Sequence, residues 1–234
     1  MRKRKILLIG PVSAQADDCF SMASSFSFLN EHYVIDCLDP LSIMDTVPNN
    51  VYYSRWKDKL AERINDCDAF FGFAFGGVII QQCFSLFTKK HKPVVLFSAP
   101  SFADCSLIQK LGAVVRLCQN NKLEEALTAL YEPVFYPNQI PLLTVTLNRE
   151  QACERLIFGL TRVLQTDSTE VLKENTVEHL HLIGEYSNLV NEHNVITPKT
   201  GRLVVVPQAS MRVMQDNPLY CKKMILEALN EHLD

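Results

Sequence analysis

The run Phe71-Gly72-Phe73-Ala74-Phe75-Gly76-Gly77 constrains this chain more than any other stretch, because it joins two segments of different hydrophobic period. Asp68 to Phe73 is a short apolar run of the kind that forms a strand buried on both faces, and Gly77 to Phe87 carries apolar residues at helical spacing. A strand passing directly into a helix through Gly-x-Ala-x-Gly is a sharp elbow, and glycine flanks the central residue because a Cβ at either place would collide with neighbouring backbone. The turn predicts Ala74 at positive φ, strained by on the order of 1 kcal/mol. In elbows of this form the central residue is the nucleophile. Ala74 has no hydroxyl, thiol or carboxylate, so a covalent route has no attacking atom here. The alternative reading is a glycine-rich turn of another α/β protein, one that cradles a phosphate at the helix N-terminus.

The elbow stands within a longer alternation. Strands are expected at Lys5 to Ile9, Tyr33 to Leu38, Ala69 to Phe73, Pro93 to Phe97, Val177 to Ile183 and Leu203 to Val206. Amphipathic helices are expected at Ala16 to Leu29, Arg55 to Asn65, Gly77 to Lys90 and Pro218 to Leu233. Such alternation predicts an α/β fold, a mostly parallel sheet of about six strands with helices on both faces. Ser101 to Asp167 breaks it, with helical patterns at Leu107 to Leu111, Leu123 to Leu130 and Gln151 to Leu164 and a bend at Pro133, Pro137 and Pro141. That stretch reads as a helical lid inserted between two strands. The expected division is a core of 1–100 and 168–234 with a lid of 101–167.

A chain of 234 residues, 47% apolar and 21% charged, suffices for one domain with a sizeable core. The formal charge is −3 and no long basic stripe is visible beyond Arg2-Lys3-Arg4-Lys5, which argues against a nucleic-acid partner. No apolar run approaches the roughly twenty residues of a membrane span. That basic run, followed by Ile6 to Ile9 and Ser13-Ala14-Gln15-Ala16, imitates a secretion signal, but Gly10-Pro11 cut the apolar stretch short. The eight cysteines form no CxxC and no Cys/His cluster at metal-ligand spacing, as expected of buried free thiols in a reducing compartment. The expected location is the cytoplasm, and no cofactor or metal is expected.

With its elbow, alternation and insertion, the chain resembles the α/β-hydrolase superfamily, in particular small lidded esterases such as the pimeloyl-carrier-protein methyl esterases. The resemblance covers nearly the whole chain, without the usual antiparallel N-terminal hairpin. It implies a nucleophile at the centre of Gly72 to Gly76, where Ala74 stands. It implies an acid in a Gly-x-x-Asp loop, which falls on Gly184-Glu185-Tyr186-Ser187 and gives Ser187. The histidine's place, before a phrase like the one running from Ala209 to Pro218, is Met211. It also implies an oxyanion-binding N–H from the loop after the first strand, read as Ile9-Gly10-Pro11; Pro11 has no N–H, unless the position slips to Val12. Ala74, Ser187 and Met211 are expected to converge at the carboxyl edge of the sheet. Gly10, Pro11, Phe73, Phe75, Ser98 and Tyr186 are the expected pocket residues.

A triad works only as a unit, and here all three members are replaced. The implied protein is a pseudoenzyme; an engineered Ser-to-Ala change at Ala74 is the alternative, although it would not account for Ser187 and Met211. The implied role is a structural or regulatory subunit, partnered by a homologous active hydrolase or another enzyme of acyl-chain or polyketide biosynthesis. That context rests on analogy of fold. The alternatives are a receptor or carrier for a small apolar ligand in the lidded pocket, and a lyase or cyclase acting by positioning.

Three further features have both a functional and a structural reading. His179 and His181 share one strand face and could hold a metal or move protons, but three or more ligands are usual, and satisfied strand histidines are the plainer reading. Trp56 reads as an interface anchor or as a partly buried core residue. Phe71, Phe73, Phe75 and Phe97 read as core and pocket wall.

Overall fold

The apolar runs become six strands, β1 (Arg4–Ile9), β2 (Tyr33–Leu38), β3 (Ala69–Phe73), β4 (Val94–Phe97), β5 (His179–Gly184) and β6 (Gly201–Val206), in a computed structural model that describes residues 3–141 and 148–230. They form one sheet in the order β2-β1-β3-β4-β5-β6, and every pairing is parallel. The expected α/β architecture is therefore present. After β1 the chain steps outward to β2, then returns to the other side of β1 for β3, so the order reverses between β1 and β3. Open parallel sheets carry their ligand crevice at such a reversal. Ile9 is in register with Gly72, which sets Gly10-Pro11 beside Phe73-Ala74.

Alternation along each strand fills two cores. Ile6, Leu8, Phe71 and Phe97 face one layer, covered by α1 (Asp18–Ala23), the 3₁₀ segment Ser24–Leu29 and α9 (Pro218–Asn230). Leu7, Ile9, Phe70 and Leu96 face the other, covered by α2 (Asn49–Ala61), α3 (Phe75–Gln82) and the inserted helices α4 (Cys105–Gln119), α5 (Leu123–Phe135) and α6 (Arg149–Leu164). Two short helices, α7 (Thr169–Glu174) and α8 (Val213–Asp216), complete the order. Leu111, Leu127 and Leu156 of the insertion belong to the same continuous core as the sheet.

Several expected boundaries shift for identifiable reasons. The helix after the elbow stops at Gln82 instead of reaching Lys90, because Cys83 N–H is shared between the carbonyls of Ile79 and Ile80 and the chain tightens into i→i+3 bonds. The tighter turn buries Phe84 and Phe87, and Phe87 meets the Phe70 ring edge-on at 4.9 Å between centroids. α2 begins at Asn49, six residues before the expected start, with Pro48 supplying the first carbonyl to Tyr52 N–H. It carries Trp56 into complete burial, so the interface-anchor reading of that residue is withdrawn. Pro133 does not end the helix, and α5 runs through it to Phe135. It has no N–H to give to the Ala129 carbonyl one turn back, and its ring is buried. Pro137 lies beyond the helix end, and Pro141 is the last described residue before 142–147.

The insertion is clamped rather than merely resting on the sheet. Arg155 of α6 donates from Nη1 and Nη2 to the two carboxylate oxygens of Asp39, each at 3.0 Å, and from Nε to the Ser13 carbonyl at 3.1 Å. One turn or two further along, Arg162 donates to the Asp45 carbonyl at 2.9 Å, with its guanidinium 4.6 Å from the Tyr52 ring centroid. Buried guanidinium groups need such complete partnering to offset desolvation.

Candidate functional site

The site begins at the elbow. Ala74 has φ 45° and ψ −110°, the positive φ that the glycine spacing implies. Its N–H donates to the Phe97 carbonyl at 2.9 Å and its carbonyl accepts from Val78 N–H at 3.1 Å, so strand ladder and helix meet at one residue. A Cβ on Gly76 would lie 2.2 Å from the Ile9 carbonyl oxygen, and one on Gly72 would lie 2.7 Å from Cα of Gly77. Both distances are below any real contact. The sequence pattern is thus accounted for by crowding between β1, β3 and α3.

The end of β4 repeats the device without glycine. Ser98 also has φ 45°, donates its N–H to the Leu182 carbonyl at 2.8 Å, and donates from Oγ to the Met211 carbonyl at 2.8 Å. Ala99 N–H then donates to Nε2 of His181 at 3.2 Å. Burial pushes the His181 pKa down to about 3, so the ring is neutral and that nitrogen is free to accept. His179 donates from Nδ1 to the Val177 carbonyl at 2.8 Å, and burial lowers its pKa too. The two histidines therefore serve backbone groups within the sheet. Among the described residues no group of three or more His, Cys, Asp or Glu is placed to hold a metal.

Above these strand ends lies a cavity of about 500 Å³. Its floor is made by Pro11, Phe73, Ala74, Phe75 and Ser98, with Met211 at one side. Its roof comes from the insertion, notably Leu107, Leu111, Leu127, Leu130, Val134 and Leu160. Phe73 and Phe97 stack in parallel 4.2 Å apart at its base. Pro11, where the resemblance led an oxyanion-binding N–H to be expected, has none; Val12 also faces the cavity. None of the described lining residues is a histidine.

Of the three positions at which the resemblance led a triad to be expected, two, Ala74 and Met211, line this cavity. Ser187 does not line it. Its Oγ accepts from Val190 N–H at 3.2 Å and its N–H donates to the Gly184 carbonyl at 3.1 Å, so it is spent on holding a buried turn. That turn presents Leu189 and Val190 to the cavity instead. Of the other expected lining residues, Gly10 lies behind the wall with its carbonyl accepting from Gly76 N–H at 3.0 Å, and Tyr186 points outward with its side chain exposed. Neither is part of the lining. Glu185, also in this loop, accepts from Gln208 N–H at 2.7 Å.

Sequence reasoning missed the two charged residues in the described lining, Asp18 and Arg212. Arg212 stacks its guanidinium 4.1 Å from the Phe135 ring centroid, and burial lowers its pKa against the opposing effect of Asp216. Burial raises the Asp18 pKa, opposed by the Gln15 backbone and by Arg155. The signal for Arg212 was its place next to Met211, on the loop that the resemblance assigns to the reaction centre.

No protein-family model matches this chain, and no curated protein matches it in sequence. Solved structures do match. Similarity to MenH from S. aureus extends over 99% of this chain and 95% of the other, at 13% identity with a TM-score of 0.69. An alpha/beta hydrolase enzyme from a Medee basin deep-sea metagenome library aligns over 98% of this chain and 90% of its own, at 11% identity with a TM-score of 0.75. An esterase from Exiguobacterium antarcticum aligns over 98% and 93%, at 12% identity with a TM-score of 0.70. At these identities the likeness establishes the α/β-hydrolase fold.

Proposed function

We propose that this α/β-hydrolase-fold protein has no hydrolytic activity and is a receptor or carrier that binds a small apolar molecule in the cavity above Ala74. The observation that supports this reading is that Ala74 and Met211, which stand where the resemblance puts a nucleophile and a base, line one cavity of about 500 Å³ beneath the inserted helices. That volume is within the range of sites for small organic ligands. Ala74 supplies no attacking atom, and Met211 takes no proton, while its unbranched thioether conforms to apolar shapes. Leucine side chains from three inserted helices supply most of the roof, so burial of apolar surface is the driving force that the site offers.

This reading is preferred over that of a subunit for a homologous hydrolase or another biosynthetic enzyme, because an occupied role for the cavity explains why it has not been filled by larger side chains. The experiment is assay of the purified protein and of its Ala74→Ser variant on short nitrophenyl and acyl-thioester substrates, together with native mass spectrometry. The expected result is background turnover for both proteins, since a lone serine has no base, and a small molecule that copurifies with one chain. Saturable turnover by either protein would overturn the reading. A stable complex with a second protein chain and an empty cavity would favour the subunit role.

A further inference from the structure

The cavity's polar features are few, and one of them is unpaired. Arg212 sits at the start of α8, next to Met211, with its flat guanidinium against Phe135 and its backbone N–H donating to Ser210 Oγ at 3.0 Å. Among the described residues its guanidinium makes no hydrogen bond and no ion pair. The nearest acid in sequence, Asp216, acts on it through its charge without a hydrogen bond, and its carboxylate accepts from Ser210 N–H at 2.8 Å. Asp18, the other charged residue of the described lining, lies towards Arg155 and Tyr131 and forms no ion pair with Arg212. The other two buried or half-buried arginines of this region, Arg155 and Arg162, are fully engaged with a carboxylate and with carbonyls. Arg212 alone keeps its donor fork free at the wall of an apolar space. Stacking holds the plane of the fork without using its N–H groups, which is how a guanidinium is readied for an anion in the plane.

We infer that the ligand is an anionic amphiphile, with a carboxylate or similar planar oxyanion held by the free fork of Arg212 and an aliphatic or aromatic body lying between the Phe73–Ala74 floor and the leucine roof. The inference rests on the receptor reading above and adds the head group to it. An unpaired, partly desolvated guanidinium disfavours a cationic ligand and leaves an uncharged one with an uncompensated donor. A carboxylate satisfies two N–H groups at once. Met211 and Val190 then border the carbon chain just below the head.

The test is calorimetric titration with decanoate and with decanol, which share a body and differ in the head group, at neutral pH and low salt. For the wild-type protein decanoate is expected to bind about ten-fold or more tighter than decanol, the scale of one charge-assisted pair in a partly buried site. Arg212→Gln is expected to erase the preference through a loss of decanoate affinity, and Arg212→Lys is expected to retain part of it, because a point charge remains without the fork. If both ligands bind equally to the wild type, or decanol binds better, the anion inference falls and the apolar receptor stands. Should neither bind, the receptor reading falls and takes the inference with it. A preference that survives in Arg212→Gln would move the anion site away from this residue.

Discussion

Ser98 donates from Oγ to the Met211 carbonyl at 2.8 Å, and so fastens the end of β4 to the loop that brings Met211 to the cavity wall. The bond crosses from the fourth strand to the segment after the sixth, between residues 113 apart in sequence. It also explains why a serine tolerates φ 45° at a position that glycine would hold more easily. Removing the hydroxyl leaves the Met211 carbonyl short of a donor. Ser98→Ala is expected to lower stability by about 1 kcal/mol, and Ser98→Gly by less, since the relief of the positive φ offsets part of the loss. Urea denaturation of the two variants checks the order. A Ser98→Gly protein less stable than Ser98→Ala would show that the backbone is not strained there.

Ala74 provides the companion test at the elbow. With φ 45° and ψ −110°, its Cβ is held in a region that only glycine adopts cheaply. Ala74→Gly is therefore expected to stabilise the fold by about 1 kcal/mol, which for a domain of this size raises Tm by roughly 2–4 °C. Differential scanning calorimetry measures it. A lowered Tm would mean that the alanine methyl contributes packing worth more than the strain that it causes.

His181 links the sheet to pH. Its folded pKa is pushed down from 6.5 to about 3 by burial, while the unfolded chain takes up a proton near the ordinary value. The unfolded state thus binds more protons as pH falls below about 6.5, and stability declines from there towards pH 3 by up to ~1.4 kcal/mol per pH unit from this group. Above pH 7 it contributes no slope. His181→Gln keeps an acceptor for Ala99 N–H but does not titrate, so its stability is expected to fall less steeply between pH 7 and pH 5. Equal slopes for the two proteins would remove His181 from the acid response.

The sheet was legible in the sequence because β3, β4 and β5 are short runs buried on both faces, and the part-exposed edge strands β2 and β6 still carry mostly apolar residues. The elbow was legible because crowding admits only glycine at Gly72 and Gly76, which leaves a mark in composition. Ser98 leaves no such mark, since its strain is offset by hydrogen bonds that form only in the fold. Arg155 reads as a solvent-facing residue of an amphipathic helix until its partner Asp39, 116 residues away, is brought beside it. Ser187 was misplaced for a similar reason: the loop's spacing fits the resemblance, but a hydrogen bond to Val190 turns it away from the cavity and presents Leu189 and Val190. Pattern reveals what a strand or a turn requires locally. It does not reveal which charged or polar side chains pair between segments distant in sequence.

The most direct measurement of the central claim is a single titration with 4-nitrophenyl octanoate in which bound ester and released nitrophenolate are followed together, for the wild type and for a Leu130→Trp variant that fills the cavity from its roof. The expected result is saturable binding of intact ester at one site per chain, lost in the variant, with nitrophenolate appearing no faster than in buffer. Saturable nitrophenolate release that disappears with Leu130→Trp would show a working hydrolase at this site and contradict the claim, as would a wild-type protein that binds no ester at all.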